Sequence, residues 1–229
     1  MSNALMSMWG GSFSTGAGEL LTLSLHHRGT DEPFATLNCS FYPDTLLVTV
    51  DGYDRPGILA YVTKQFKRFR VNVESCLGER MKRSQGSRFE LTHGGDNEEK
   101  LRLMAEHLKK DAGDFELRSL VGFDRLYNLN VEVLKDECGL LYPVADFLAT
   151  NDVNLRYFRA DKDDLGGLDG LPEVQVFAQL EVPPSMTEQQ LRDGLELRCP
   201  AWSRVTLREV WKRSSGDHRE ENRFVVKMK

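Results

Sequence analysis

An internal repeat, in which the second copy follows the first at one constant offset, is the feature that most constrains the fold. The segment "DRPG" at Asp54–Gly57 precedes two apolar residues, and the segment "DECG" at Asp136–Gly139 does the same. The interval from Gly57 to Asn72 equals the interval from Gly139 to Asn154. Matches at all these positions with one common offset indicate that a single structural unit occurs twice.

The order of the secondary-structure elements is the same in both copies. In the first copy a strand pattern at Leu47–Asp51 precedes a helix pattern, two more strands, a second helix and a closing strand at Phe115–Val121. The second copy runs in the same order, and alternating apolar residues at Val174–Val182 mark its clearest strand. We therefore predict an α+β fold with two ferredoxin-like βαββαβ domains, each an antiparallel sheet with its helices on one face.

The repeat also sets the domain boundaries that we expect. The two domains are predicted at 45–122 and 123–212. Residues 19–44 contain two strand patterns outside the repeat, which we expect to form an N-terminal β-hairpin. Residues 1–18 are rich in Gly and Ser and are expected to be disordered and tag-like, whereas 213–229 read as a polar linker with one terminal strand.

Composition excludes several classes of protein. The net charge is −5, so the molecule as a whole is not built to neutralise a polyanion. No stretch approaches the roughly 18 apolar residues of a membrane span, and the first residues lack the basic-then-apolar order of a secretory signal. Four cysteines without CxxC spacing predict free thiols, and hence the cytoplasm or a reducing organelle interior.

The DRPG corner has a purely structural interpretation. Proline suits the first position of a helix because its φ is already helical and it has no N–H to leave unpaired, which fits Pro56. Its predecessor Arg55 is held extended, as an N-cap residue should be. Asp54 can accept from backbone N–H groups at the positive end of the helix. On this interpretation the corner is a well-formed turn and binds nothing.

The same residues also suit a ligand. Unpaired backbone N–H groups at Gly57, Ile58 and Leu59 would form a site for a carboxylate. Asp54 could bind an ammonium group, and the amide of Asn72 offers both a donor and an acceptor. A free amino acid carries both charges, so the corner and the asparagine together favour an amino-acid site.

The first copy resembles the start of ACT domains, small βαββαβ modules that bind amino acids. Their signature is a strand, a D/N-R-P-G corner with two apolar residues, a helix and a V-N-I strand, and "DGYDRPGILAYVTKQFKRFRVNVES" carries it. The second copy matches in outline, because Cys138 stands where the proline would be. The resemblance covers about residues 45–211 and implies a regulatory role.

The resemblance also implies particular ligand contacts. They are Asp54, Gly57 and Asn72 in the first copy and, by a weaker match, Asp136, Gly139 and Asn154 in the second. Serine-binding relatives carry a histidine where this chain has Gly52, so serine specificity does not carry over. The layout is similar to freestanding tandem ACT proteins of the glycine cleavage system transcriptional repressor type, which implies action through a protein partner and not directly on DNA.

Other signals favour different chemistry less well. Residues 64–88 carry eight Lys and Arg side chains against two Glu, a basic stripe that could bind nucleic acid but lacks interleaved aromatic residues. The acidic loop at 161–170 has Pro172 where a calcium loop needs glutamate, and His26 and His27 would point to opposite faces of a strand. We predict no metal, no cofactor and no catalytic constellation.

The sequence therefore favours a non-catalytic regulatory protein. It would bind a small amino acid or similar carboxylate where two copies meet, either within one chain or in a homodimer, and act on a regulatory protein partner. Two alternatives stay open: an interaction module that binds no ligand, and a nucleic-acid-associated regulator that uses the stripe at 64–88.

Overall fold

Nine strands and four helices make up the part of the chain that the computed structural model describes. The described residues are 19–26, 30–42, 46–53, 55–81, 84–91, 97–112, 115, 118, 121–163 and 171–213. The strands are β1 Glu19–His26, β2 Pro33–Phe41, β3 Leu46–Tyr53, β4 Val73–Met81, β5 Ser84–Leu91, β6 Arg125–Val133, β7 Asn154–Lys162, β8 Val174–Val182 and β9 Ser203–Lys212. The helices are α1 Ile58–Phe69, α2 Asn97–Asp111, α3 Leu141–Thr150 and α4 Glu188–Arg198.

All nine strands belong to one antiparallel sheet in the order β1-β2-β3-β5-β4-β7-β8-β6-β9. The strands of the second repeat lie in the order β9-β6-β8-β7. Numbered within the repeat, this order is 4-1-3-2, which is the ferredoxin-like arrangement. Alternate residues of β6, Leu129, Val131 and Val133, are buried beneath the helices. The predicted α+β fold with antiparallel sheets and helices on one face is confirmed.

The two repeats meet within one chain through β4 and β7. Their antiparallel register places Leu77 opposite Arg159, and 159 is the repeat equivalent of 77. Every other pair in this ladder has an equivalent pair on the other side of that point; for example, the equivalents of Gly78 and Phe158 are Ala160 and Cys76, which also pair. The two repeats are therefore related by a pseudo-twofold axis through the Leu77–Arg159 pair.

The first repeat completes its sheet with the N-terminal hairpin. The predicted hairpin is present, since β1 pairs with β2. Strand β2 also pairs with β3 from Ala35 opposite Gly52 to Phe41 opposite Leu46, in the place that β9 takes beside β6. The hairpin thus supplies the position of a fourth strand.

The prediction that Phe115–Val121 forms the fourth strand of the first repeat is therefore wrong. Phe115, Arg118 and Val121 lie outside any strand, and the other four residues of that segment are outside the described ranges. The apolar pattern that suggested a strand has another cause. The Phe115 ring packs 4.6 Å from the ring of Tyr61 and 5.2 Å from that of Phe34, measured between centroids.

Small residues bring the first helices of the two repeats together. Ala60 of α1 is buried with Ala145 and Ala149 of α3, and Leu59 packs against them. Alanine lets two helices approach closely, because no long side chain separates their backbones. The junction of the repeats is thus held twice, by the sheet and by this helix pair.

Several predicted segments lie outside the described residues. They are the tag-like residues 1–18, His27, most of the acidic loop (164–170) and the tail at 214–229, including its terminal strand. Among the helices in the described ranges, none combines the length and apolarity needed to cross a membrane.

Replacing Gly78 with alanine should destabilise the junction. A Cβ at this position would lie 1.9 Å from Cε1 of Phe158, its cross-strand partner, which is 3% exposed and cannot easily move. We expect Gly78→Ala to lower the free energy of unfolding by about 1–3 kcal/mol, the usual cost of overpacking, in urea titrations. Gly122→Ala is the matched control, because nothing lies within 4 Å of its Cβ position. Equal effects of the two substitutions would contradict this packing.

Candidate ligand site at the junction of the repeats

The pseudo-twofold axis exchanges partners between the two glycine corners. Asn72 lies just before β4, and the register sets this end of β4 beside the end of β7 at Lys162. The sequence predicts that Asn72 acts with Asp54 and Gly57 of its own repeat. In the structure it lines a cavity with Asp136 and Gly139 of the other repeat.

This junction cavity has a volume of about 40 Å³. At roughly 10–15 Å³ for each water-sized probe, it has room for about three waters. Both repeats line it, with residues that include Thr63, Phe66, Asn72, Glu74, Ser75, Asp136, Glu137, Gly139, Leu140, Tyr142, Asp161 and Lys162. It is the place where the structure brings together three of the predicted site residues.

Lys162 is the cation of the junction cavity. Its Nζ lies 3.5 Å from Oδ2 of Asp136 and 3.6 Å from Oε2 of Glu74, so it links a carboxylate from each repeat. Burial opposes its charged form, but the two carboxylates outweigh burial and raise the pKa of Lys162 above its ordinary 10.5. As far as Lys162 is concerned, its contribution to stability is therefore fully present below pH 10.5 and is lost as the pH rises through the raised pKa.

The backbone around the second corner is fixed from two sides. The N–H of Asp136 donates to Oε2 of Glu173 at 2.6 Å. Gly139 has φ +88°, a conformation that L side chains rarely adopt, and a Cβ there would lie 2.6 Å from Cγ of Lys67 on α1. Glycine is thus required at 139 both by its dihedral angle and by the close approach of the other repeat.

The first corner is covered by other parts of the chain. Gly57 has φ +110°, and a Cβ on it would lie 3.4 Å from Cζ of Phe115. A Cβ on Gly52 would lie 3.0 Å from Cβ of Ala35 and from Cδ1 of Ile58, so any side chain there would crowd the hairpin and α1. This crowding is a physical reason for the glycine at 52.

The remaining predicted residues of the first corner differ in burial. Pro56 and Ile58 are buried, whereas Arg55, Gly57 and Leu59 are half-buried. Asp54 lies outside the described residues. The role of these residues in binding stays a prediction.

Asn154, the repeat equivalent of Asn72, binds a carboxylate of the protein itself. Its Nδ2 donates to Oε2 of Glu181 at 3.0 Å, and Nη1 of Arg80 donates to Oε1 of the same carboxylate at 2.6 Å. Asn154 is 4% exposed and Glu181 3% exposed. This buried cluster occupies the end of the junction opposite the cavity.

Sequence reasoning missed the charged side chains at both ends of the junction. They are Arg80 and Glu181 at one end, and Glu74 and Lys162 at the other. One signal was available: Arg80 and Lys162 stand at equivalent positions of the two copies and are both cationic. The roles of Glu74 and Glu181 could not be predicted in this way, because strand pairing and not spacing in the sequence decides which residues they contact.

The basic stripe at 64–88 is described only in part, because Lys82 and Arg83 lie outside the described residues. Lys64, Lys67, Arg68 and Arg70 are exposed on or just after α1. Arg80 is instead engaged in the buried cluster with Glu181. The nucleic-acid surface therefore stays an alternative prediction.

A second cavity of about 40 Å³ shares two lining residues with the junction cavity, but its lining is apolar. It shares Leu140 and Leu141 with the junction cavity and is otherwise lined mainly by apolar side chains such as Leu59, Val144 and Phe158. None of the described residues that line it carries a charge that could orient a zwitterion. The junction cavity is therefore the better candidate for a polar ligand.

Among the described residues, no group of three or more His, Cys, Asp and Glu side chains is arranged to hold a metal ion. Two carboxylates of the junction cavity, those of Glu74 and Asp136, instead pair with Lys162.

Comparisons with known proteins give distant likenesses. No protein-family model matches the chain, and no curated protein matches it. An aspartate kinase from Synechocystis is similar at a TM-score of 0.49 and 13% identity, over 79% of this chain and 30% of the kinase chain. An unknown protein from Galdieria sulphuraria is similar at a TM-score of 0.33 and 19% identity. A candidate glycine cleavage system transcriptional repressor is similar at a TM-score of 0.33 and 15% identity. Each of these two matches covers 73% of this chain and 98% of the other chain. At such scores neither the fold nor the function rests on these likenesses.

Native thiol labelling should report on the second corner alone. Cys138 is exposed, whereas Cys39, Cys76 and Cys199 are buried. Burial raises the pKa of Cys39 and Cys76 to about 12 and of Cys199 to about 11, so these thiols form little thiolate. We expect one thiol to react with iodoacetamide in the native protein at pH 8 and four after unfolding, counted by mass spectrometry.

The labelling rate has its own expected pH dependence. Burial and the nearby carboxylate of Asp136 raise the pKa of Cys138, so the reaction should be slow at pH 7 and should accelerate above pH 9. Cys138→Ser should abolish native labelling. Rapid labelling of a second thiol before unfolding would contradict the burial described.

Proposed function

We propose that this chain is a non-catalytic regulatory protein that binds one small amino acid, or a similar small carboxylate, in the junction cavity. One observation carries the proposal: the cavity combines Asn72 and Glu74 of one repeat with Asp136, Gly139 and Lys162 of the other. A ligand there would contact both repeats at once. Its binding would therefore favour one arrangement of the junction over others.

The cavity offers groups of both charges that a zwitterion could contact. The Lys162 ammonium would bind the ligand carboxylate, and Asp136 and Glu74 would bind the ligand ammonium. The ion pairs of 3.5 and 3.6 Å are longer than close charge-assisted hydrogen bonds, so a ligand could improve on them. The resemblance of the corner to ACT domains points to the same class of ligand.

The volume of the cavity limits the size of the ligand. About 40 Å³ accommodates a compact molecule, and bulky side chains would have to displace Leu140 or Tyr142 from the lining. We therefore expect glycine, alanine and serine to bind better than aromatic or long-chain amino acids.

The regulatory partner would be another protein or a second copy of this chain. A bound ligand can change such an interaction only if it binds one arrangement of the junction more tightly than another. The junction lies between two packed helices and two paired strands, so small shifts there would move whole repeats.

A thermal-shift screen of the twenty amino acids tests this function. A ligand present at 100 times its Kd should stabilise the native state by about 2.7 kcal/mol, or roughly 5–10 °C in Tm. Lys162→Met should abolish the shift, because it keeps the apolar stem and removes the charge. Lys212→Met is the matched control, since Lys212 ends the edge strand β9, which is separated from β7 by β8 and β6.

Cys138 provides a second readout in the same samples. A ligand beside Glu137 and Gly139 should slow native alkylation of Cys138, whereas a ligand elsewhere should not. No shift with any amino acid at 10 mM, together with unchanged labelling, would contradict the proposal and favour an interaction module without a ligand. A salt-dependent mobility shift with DNA or RNA would instead favour the nucleic-acid alternative.

A further inference from the structure

The two ends of the junction are equivalent by sequence but differ in content. Asn72 and Lys162 stand at one end, and their repeat equivalents Asn154 and Arg80 stand at the other. Each end thus has an asparagine from one repeat and a cation from the other. The first pair lines a cavity, at which Lys162 has the longer ion pairs of 3.5 and 3.6 Å with Asp136 and Glu74, whereas the second pair contacts the buried carboxylate of Glu181 directly.

We infer that the Glu181 carboxylate is a built-in ligand that closes a second, latent site for small carboxylates. It lies between the cation and the asparagine of its end of the junction, where the equivalent residues at the other end face a cavity. The repeated architecture thus provides two equivalent positions for a ligand. Under the proposed function, the chain would bind a small molecule at the junction cavity alone, because Glu181 fills the other position.

The contacts of Glu181 are those that a bound carboxylate would make. Its two oxygens have different partners, Arg80 at 2.6 Å and Asn154 at 3.0 Å. Arg80 donates a charge-assisted hydrogen bond, which is among the stronger polar contacts in proteins. Glu181 reaches this position because it stands opposite Asn154 in the pairing of β7 with β8.

The Glu181 side chain is almost entirely shielded from solvent, and that of Arg80 is mostly shielded. The exposed fractions are 3% for Glu181 and 27% for Arg80. A carboxylate is this strongly buried only where charged and polar partners offset the loss of hydration. Removing the carboxylate would leave Asn154 and a largely covered guanidinium without that partner, in a space that acetate would fit.

Glu181→Ala tests the inference, because the group it removes beyond Cβ corresponds to acetate. We expect this variant to lose roughly 6–20 °C in Tm. Sodium acetate at 100 mM should restore about 3–6 °C if its Kd is near 10 mM, whereas sodium chloride at the same ionic strength should not. The wild-type protein should show no acetate-specific shift of this size.

Two variants locate the acetate. Glu181→Gln keeps the shape of the side chain and fills the space, so it should lose stability without any response to acetate. Arg80→Met combined with Glu181→Ala should also lose the response, because the cation is gone. A similar acetate response in either variant, or none in Glu181→Ala, would overturn the inference.

The test remains decisive if Glu181→Ala does not fold at room temperature. The fraction refolded from urea should then rise with acetate but not with chloride, and an equal yield in both salts would overturn the inference. The acetate response should also persist in the Lys162→Met background. Failure here is therefore distinguishable from failure of the proposed amino-acid site, which depends on Lys162.

Discussion

The antiparallel pairing of β4 with β7 is the interaction on which the rest of this structure depends. Without it each repeat would present an unpaired strand edge to solvent. Its register, centred on Leu77 and Arg159, also decides which residues meet at the two ends of the junction. A shift of one residue would turn every side chain of one strand to the opposite face, so the site and the core are specified together.

The N-terminal hairpin explains why two copies of one fold are not equivalent. Strand β2 occupies the place beside β3 that β9 occupies beside β6. Phe115 thereby lies outside the sheet, and its ring covers Gly57. The same hairpin brings Ala35 against Gly52. One added element therefore completes the first sheet and closes its glycine corner.

Much of the fold could be predicted from the sequence, because the repeat and the apolar periodicity are local signals. The spacing of Gly57 and Gly139 located both corners, and alternation located strands such as Val174–Val182. The closing strand at Phe115–Val121 could not be judged in this way. A short apolar run has the same pattern whether it joins a sheet or packs one ring against a helix, and the competitor for its place is β2, far earlier in the chain.

The site was less predictable because it depends on contacts between the repeats. The sequence identified Asn72, Asp136 and Gly139 separately, but it could not show that the asparagine of one copy faces the corner of the other. That arrangement follows from the β4–β7 register, which no local pattern encodes. Lys162 and Glu74 were missed for the same reason, since they become neighbours only when those strands pair.

The asymmetry of the junction has a consequence for regulation. One end is held by close contacts of Glu181 with Arg80 and Asn154, whereas the other has longer ion pairs around a cavity. Under the proposed function, a ligand in that cavity adds interaction free energy at one end only, while the other end stays fixed. Under the same proposal, the closed end would be the fixed point of any movement that the ligand induces. Had both ends been open, two ligands bound symmetrically would have strengthened the junction without any preferred direction of movement.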